Sequence, residues 1–126
     1  KNLNSIGIGI AIDNFGTGSL SFKQFSKLKI DFIKIDLSFI QKSINDPFTR
    51  RVIAAIRSMA FDMGIKIIAE GVETTEQLDL ITILKYDEIQ GFLFSQALPV
   101  KLLPKVISQN LFSTLSPESH KEISNI

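Results

Sequence analysis

The sequence predicts an α/β fold of about four consecutive βα units, half the complement of a (βα)8 barrel. Three observations carry this expectation. Strand-like and helix-like segments alternate along the chain, and the polar residues with chemical potential fall at the ends of the strand-like segments. The length of 126 residues is also about half of the ~250 usual for a complete eight-unit barrel. A doubly wound open sheet is the rival architecture, but its first turn would carry a glycine fingerprint opening directly into a helix. The run Asp13-Asn14-Phe15-Gly16-Thr17-Gly18 does not match it.

The first unit begins where Ile6, Ile8, Ile10 and Ile12 alternate with Gly7, Gly9, Ala11 and Asp13. A period of two with one bulky and one small face predicts a strand over 6–12. Bulky residues facing helices and small residues facing inward suit a barrel wall, which places Asp13 at the inward-facing end. Phe22, Phe25 and Leu28 follow at helical spacing, predicting a short amphipathic helix over 21–29.

Phe32 to Asp36 reads as the second strand. Its unit reaches a helix introduced by Asn45-Asp46-Pro47, a cap followed by a first-turn proline. Val52, Ile53, Ile56, Met59, Ala60 and Met63 form the expected buried face, and Gly64 ends the helix. The third strand, 65–70, leads through Gly71 to Thr74, whose spacing from Gln77 matches a capping box ahead of Leu78, Ile81 and Leu84. A shorter strand over 89–94, Pro99 and a helix near 102–111 complete a fourth unit. Residues 1–112 are thus expected to form the folded part and 113–126 a polar tail.

Bulk properties exclude several classes. Formal net charge is +1 and the lysines are scattered among acids, so the basic stripe that tracks a nucleic-acid polymer is missing. With no cysteine there is neither a disulfide framework nor a thiolate metal site, which fits a reducing compartment such as the cytoplasm. The apolar stretches at 6–12 and 65–69 fall far short of the ~20 residues of a membrane-spanning helix, so this segment is expected to make no membrane contact. The chain starts at Lys1 with neither an initiator methionine nor a signal peptide, and a longer parent, anchored elsewhere or not, is the expectation.

In barrels of βα units the reacting groups sit at the C-terminal strand ends, because the loops at that face assemble the site. Here those ends carry Asp13 and Asn14, then Lys34 and Asp36, then Glu70, then Gln90. Three carboxylates and an ammonium on one face suit Mg²⁺ or Mn²⁺ and water directed at a phosphodiester, since those metals take hard oxygen ligands. The lysine can offset phosphoryl charge. On spacing alone each residue has a second reading. Asp13-Asn14 is also a turn signal, Lys34 and Asp36 an edge ion pair, and Glu70 with Glu73 a complement to the next helix N-terminus. His120 lies in the polar tail and is read as a surface residue. Phe15, Phe22, Phe25 and Phe39 are read as packing rather than a stacking platform.

Taken together, Ile12-Asp13-Asn14-Phe15-Gly16-Thr17-Gly18, Ile33-Lys34-Ile35-Asp36, Ala69-Glu70-Gly71-Val72-Glu73-Thr74 and Ile89-Gln90-Gly91-Phe92 resemble the EAL domain family in order and spacing, over residues 3–100. The resemblance implies the C-terminal half of a modified, TIM-like (βα)8 barrel that uses two divalent ions, Mg or Mn, to open cyclic di-GMP into linear pGpG. Carried over by position, it implies that Asp13 bridges two metal ions and Lys34 contacts the nucleophilic water or scissile phosphate. Asp36 would support that lysine and the water, Glu70 would serve the metal and water site, and Glu73 would anchor the loop beginning at Phe15. Gln90 would help bind metal-linked water or ligand.

Two departures bear on activity. Asn14 stands where the family commonly has a second acid; its amide oxygen can still ligate a hard cation, but with one negative charge fewer. Ser19-Leu20-Ser21-Phe22 stands where the family usually has Tyr-Ser-Ser-Leu, in a loop tied to ligand response and dimer contacts. The Glu-Ala-Leu segment that names the family does not occur in this sequence, so negligible hydrolysis is expected from this chain alone. The alternative is a degenerate module that binds cyclic di-GMP or a protein without cleaving it. Because four strands leave two edges and a face to cover, a homo-oligomer or the first half of the barrel is the expected partner.

Overall fold

A computed structural model describes residues 3–16, 25 and 27–108. The chain divides into two compact units, Lys1–Leu93 and Phe94–Ile126.

The first unit is built on strands β1 (Ala11–Ile12), β2 (Phe32–Ile35), β3 (Lys66–Ala69) and β4 (Glu88–Ile89), all parallel and in the order β1-β2-β3-β4. Helices α1 (Leu37–Asn45) and α2 (Pro47–Asp62) connect β2 to β3, and α3 (Thr75–Ile83) connects β3 to β4. Sequential parallel pairing with helical crossovers is the βα-barrel arrangement, here as a partial barrel.

The register shows how the two faces of the sheet are divided. Ile33, Ile35, Ile67 and Ala69 are fully buried, and Ile12, paired with Ile33, shares their face. Lys34 pairs with Ile68 on the opposite face, where both are half-buried. Since side chains alternate, Asp13 and Glu70 fall on the Lys34 face, as the alternation in the sequence implies for Asp13. The helix-side core continues through Ile40, Ile53, Val72, Leu78 and Ile81.

The punctuation read from the sequence is largely present. Asp46 caps α2, accepting from the Phe48 amide at 3.1 Å, with Pro47 in the first turn. Gly64 follows α2 with φ +67°, the left-handed conformation that ends helices. Thr74 and Gln77 form the capping box of α3: the Gln77 amide donates to Thr74 Oγ1 at 3.3 Å and the Thr74 amide to Gln77 Oε1 at 3.2 Å.

Four expectations are corrected. The strand over 6–12 is reduced to β1, because a 3-10 turn spans Leu3–Ile6 and Gly7 takes φ +79°. The Ile10 amide then bonds to the Asp31 carboxylate at 2.8 Å rather than to a neighbouring strand. Helix α1 is an addition, made possible by a cap at Asp36. The strand over 89–94 ends at Ile89 as Gln90 and Leu93 turn to bond Val72. Met63 is exposed, lying beyond the last turn of α2.

The helix expected over 21–29 falls largely outside the described residues, of which Phe25 is buried and Leu28 exposed. In the second unit a 3-10 turn, Val100–Leu102, leads into α4 (Leu103–Ser108). The helix is expected over 102–111; its end, like the tail and His120, lies outside the described residues. Among the described residues no helix is long and apolar enough to cross a membrane.

Candidate functional site

Asp13, Lys34 and Glu70 meet at the C-terminal ends of β1, β2 and β3. Lys34 Nζ lies 2.5 Å from Glu70 Oε1 and 3.5 Å from Asp13 Oδ1. The local chain explains how they meet. Lys34 occupies the inward parity position of β2, between two isoleucines that anchor the strand on the helix side. The Glu70 amide donates to the Ile35 carbonyl at 3.0 Å, carrying the β3 pairing one residue beyond the strand. Past β1, the Phe15 amide donates to the Lys34 carbonyl at 3.1 Å, which keeps Asp13 beside the lysine.

The electrostatics follow from this geometry. Hydrogen bonding to Glu70, reinforced by the charges of Glu70 and Asp13, raises the Lys34 pKa above its ordinary value against the opposing effect of partial burial. Lys34 therefore stays an ammonium at neutral pH. Its side chain is 25% exposed and that of Glu70 18%, whereas Asp13 is 61% exposed. Asp13 is thus the solvent-facing acid, and Glu70 the one held close to the cation.

The other expected residues are placed differently. Asn14 follows Asp13 in the left-handed conformation, φ +51°, which asparagine tolerates better than most residues; its amide donates to Asp13 Oδ1 at 2.9 Å. Asp36 turns to the start of α1, where Oδ1 accepts from the Ser38 amide at 2.8 Å and from the Ser38 hydroxyl. The hydroxyl bond leads in lowering its pKa. No bond joins its carboxylate to Lys34. Glu73 is exposed, with its amide bonded to Gln77 Oε1 at 2.7 Å. Gln90 is exposed at the end of β4, its backbone bonded to Ala69 and Val72.

Two glycines that spacing alone did not single out fix the loops here. A Cβ at Gly91 would lie 1.9 Å from the Val72 carbonyl oxygen, and Gly71 has φ +66°. Both are contained in the motif runs Glu70-Gly71 and Gln90-Gly91. Their signal was a glycine directly after a polar strand end.

For a divalent cation the donors fit in kind and fall short in number. Asp13 and Glu70 are hard carboxylates that reach one common ammonium, so their oxygens lie no further apart than those two contacts allow. Asn14 and Gln90 carry amide oxygens at these strand ends. Among the described residues, however, no group of three or more histidine, cysteine or acidic residues is arranged to hold a metal ion. Mg²⁺ asks for six oxygen ligands and Ca²⁺ for six to eight, so this face supplies only part of a shell.

The model of the EAL domain family matches residues 1–97. The cyclic di-GMP phosphodiesterase PdeL of Escherichia coli is 38% identical over 98 residues, covering 78% of this chain and 27% of PdeL. A solved structure of the Pseudomonas aeruginosa MucR phosphodiesterase in complex with c-di-GMP aligns at TM-score 0.75 and 37% identity, over 80% of this chain and 41% of that one. Klebsiella pneumoniae BlrP1, solved with manganese and cyclic di-GMP, aligns at TM-score 0.69 and 31% identity, over 75% of this chain and 24% of BlrP1. The chain spans 27% of the length of PdeL and 12% of that of the Bacillus subtilis signaling protein YkoW.

Proposed function

Because this chain belongs to the EAL domain family, we propose that it supplies one wall of a metal-dependent site that hydrolyses cyclic di-GMP to pGpG. The observation that carries this reading is the meeting of Asp13, Lys34 and Glu70 at three adjacent strand ends. Asp13 and Glu70, with the amide oxygens of Asn14 and Gln90, would hold Mg²⁺ or Mn²⁺. The bound metal supplies Lewis acidity and lowers the pKa of water.

The chain's own residues then do three things. Lys34, held protonated, offers N–H donors and positive charge to the phosphodiester as negative charge develops on its oxygens. Glu70 fixes the direction of that ammonium and accepts a hydrogen bond from the attacking water. Asp36 supports Lys34 through the backbone, by capping the helix that follows it, and Glu73 would anchor the loop that begins at Phe15. A reducing cytoplasm fits both the absence of cysteine and a soluble nucleotide substrate.

The test is chromatographic detection of pGpG from cyclic di-GMP by the full-length protein with Mg²⁺ or Mn²⁺, alongside calorimetric binding. Turnover that is lost in Glu70→Gln supports the reading. The absence of both binding and turnover would overturn it. Asn14 favours a second reading, since one charge fewer weakens metal binding: saturable binding without pGpG would select a receptor rather than an enzyme.

A further inference from the structure

We propose that the first turn of α1 is a clamp that positions both site carboxylates. In it, Leu37 holds the loop that carries Glu70, and Phe39 holds the loop that carries Asp13. The proposal rests on the reading of Asp13, Lys34 and Glu70 as one site, and makes Leu37 and Phe39 positioning residues within it.

The contacts that carry it lie on both sides of Lys34. A Cβ built at Gly71 would fall 2.6 Å from Leu37 Cδ1 and 2.7 Å from Leu37 Cβ, so Leu37 fills the space beside the residue after Glu70. A Cβ built at Gly16 would meet Phe39 Cζ at 3.3 Å, so the Phe39 ring lies against the turn three residues after Asp13. Both glycines have positive φ, +66° and +99°, so each is suited to a sharp turn with a side chain from elsewhere pressed against it. Leu37 and Phe39 are two positions apart, and at 3.6 residues per turn their side chains diverge by about 200°. One helical turn can therefore touch two separate loops.

That turn is itself fixed. Asp36 caps it through the Ser38 amide at 2.8 Å, and Ile40, one residue further, is fully buried. Each loop has a second tether to the sheet: the Phe15 amide to the Lys34 carbonyl at 3.1 Å, and the Val72 amide to the Gln90 carbonyl at 3.0 Å. A rigid turn wedged between two tethered loops couples them, so a void on one side is felt on the other. Two unrelated packing contacts would not be coupled.

Amide hydrogen exchange on the full-length protein, resolved around residues 13–16 and 70–73, separates the two cases. Leu37→Ala is expected to accelerate exchange at the Phe15 amide, and Phe39→Ala at the Val72 amide, each about tenfold or more at the loop the substituted side chain does not touch. Leu37→Met and Phe39→Leu should restore protection. Acceleration confined to the touched loop overturns the clamp. Should either alanine variant fail to unfold cooperatively, Leu37→Val and Phe39→Val carry the same far-loop measurement.

Turnover supplies a second readout. Both alanine variants should lower kcat for cyclic di-GMP by about 10- to 100-fold with KM changed less than threefold, because the carboxylates are misplaced rather than removed. Wild-type kcat in folded alanine variants would overturn the proposal. If the unsubstituted protein makes no pGpG, the functional reading fails while the exchange measurement still decides the clamp.

Discussion

With Glu70 at 2.5 Å and Asp13 at 3.5 Å, the Lys34 ammonium holds together two carboxylates that would otherwise repel each other. Such partly exposed pairs stabilise a fold by only ~0–1 kcal/mol, which makes fold stability a poor account of why the lysine is there. Lys34→Met should therefore leave the melting temperature of the full-length protein nearly unchanged. Its pGpG production should fall by about 10²–10³-fold, the loss typical of removing one preorganised donor to a developing charge. Undiminished turnover would remove Lys34 from the chemistry. Asn14 allows the complementary test. Its φ of +51° is open to aspartate as to asparagine, so Asn14→Asp adds charge beside Asp13 without demanding a new backbone. Mn²⁺ binding by calorimetry should tighten about tenfold, or ~1.4 kcal/mol. An unchanged affinity would show that residue 14 does not face the metal.

Helix α1 connects residue chemistry to architecture, and it is the element the sequence reading lacked. Its signal was present: Asp36 two residues before Ser38, then Ile40 and Ile44 at helical spacing, a cap ahead of an apolar stripe. The same aspartate also fitted a site role, which drew it away from the capping reading. The cap at Asp46, the helix-ending Gly64 and the capping box of Thr74 and Gln77 were legible because local backbone chemistry decides them. The true length of β1 and β4 was not, since Gly7 and Val72 end those strands through conformation and long-range pairing. Asp36→Ala should cost about 0.5–2 kcal/mol by urea unfolding at neutral pH. The folded pKa of Asp36 is lowered from 3.8, so its contribution is complete above that value and disappears as pH falls through the lower folded one. The difference between wild type and variant should therefore shrink in strong acid. At Gly91 the element boundary is a matter of space: with the Val72 carbonyl 1.9 Å from any Cβ, Gly91→Ala should destabilise by about 3 kcal/mol or more, read as a lowered urea midpoint.

At the scale of the whole sheet, the two faces are unequal. The helix side is dry, with Ile33, Ile35, Ile67 and Ala69 at 0% exposure, while the side bearing Lys34, Ile68 and Lys66 is half-buried to exposed. Parallel sheets are otherwise found almost only with both faces covered, and β1 and β4 each have a free ladder edge among the described residues. These 126 residues expressed by themselves should therefore associate, with a mass by light scattering that rises with concentration and exceeds the 14.0 kDa of one chain. A monomer that unfolds cooperatively would count against this. Association of that kind covers surface without adding the donors the site lacks. With two carboxylates at Lys34 and no group of three acidic or histidine ligands among the described residues, the metal shell stays open. Purified as these residues alone, the chain should give no steady pGpG above background with Mn²⁺, even at concentrations where it associates. Sustained turnover there would mean that this wall suffices for catalysis, contrary to the donor count.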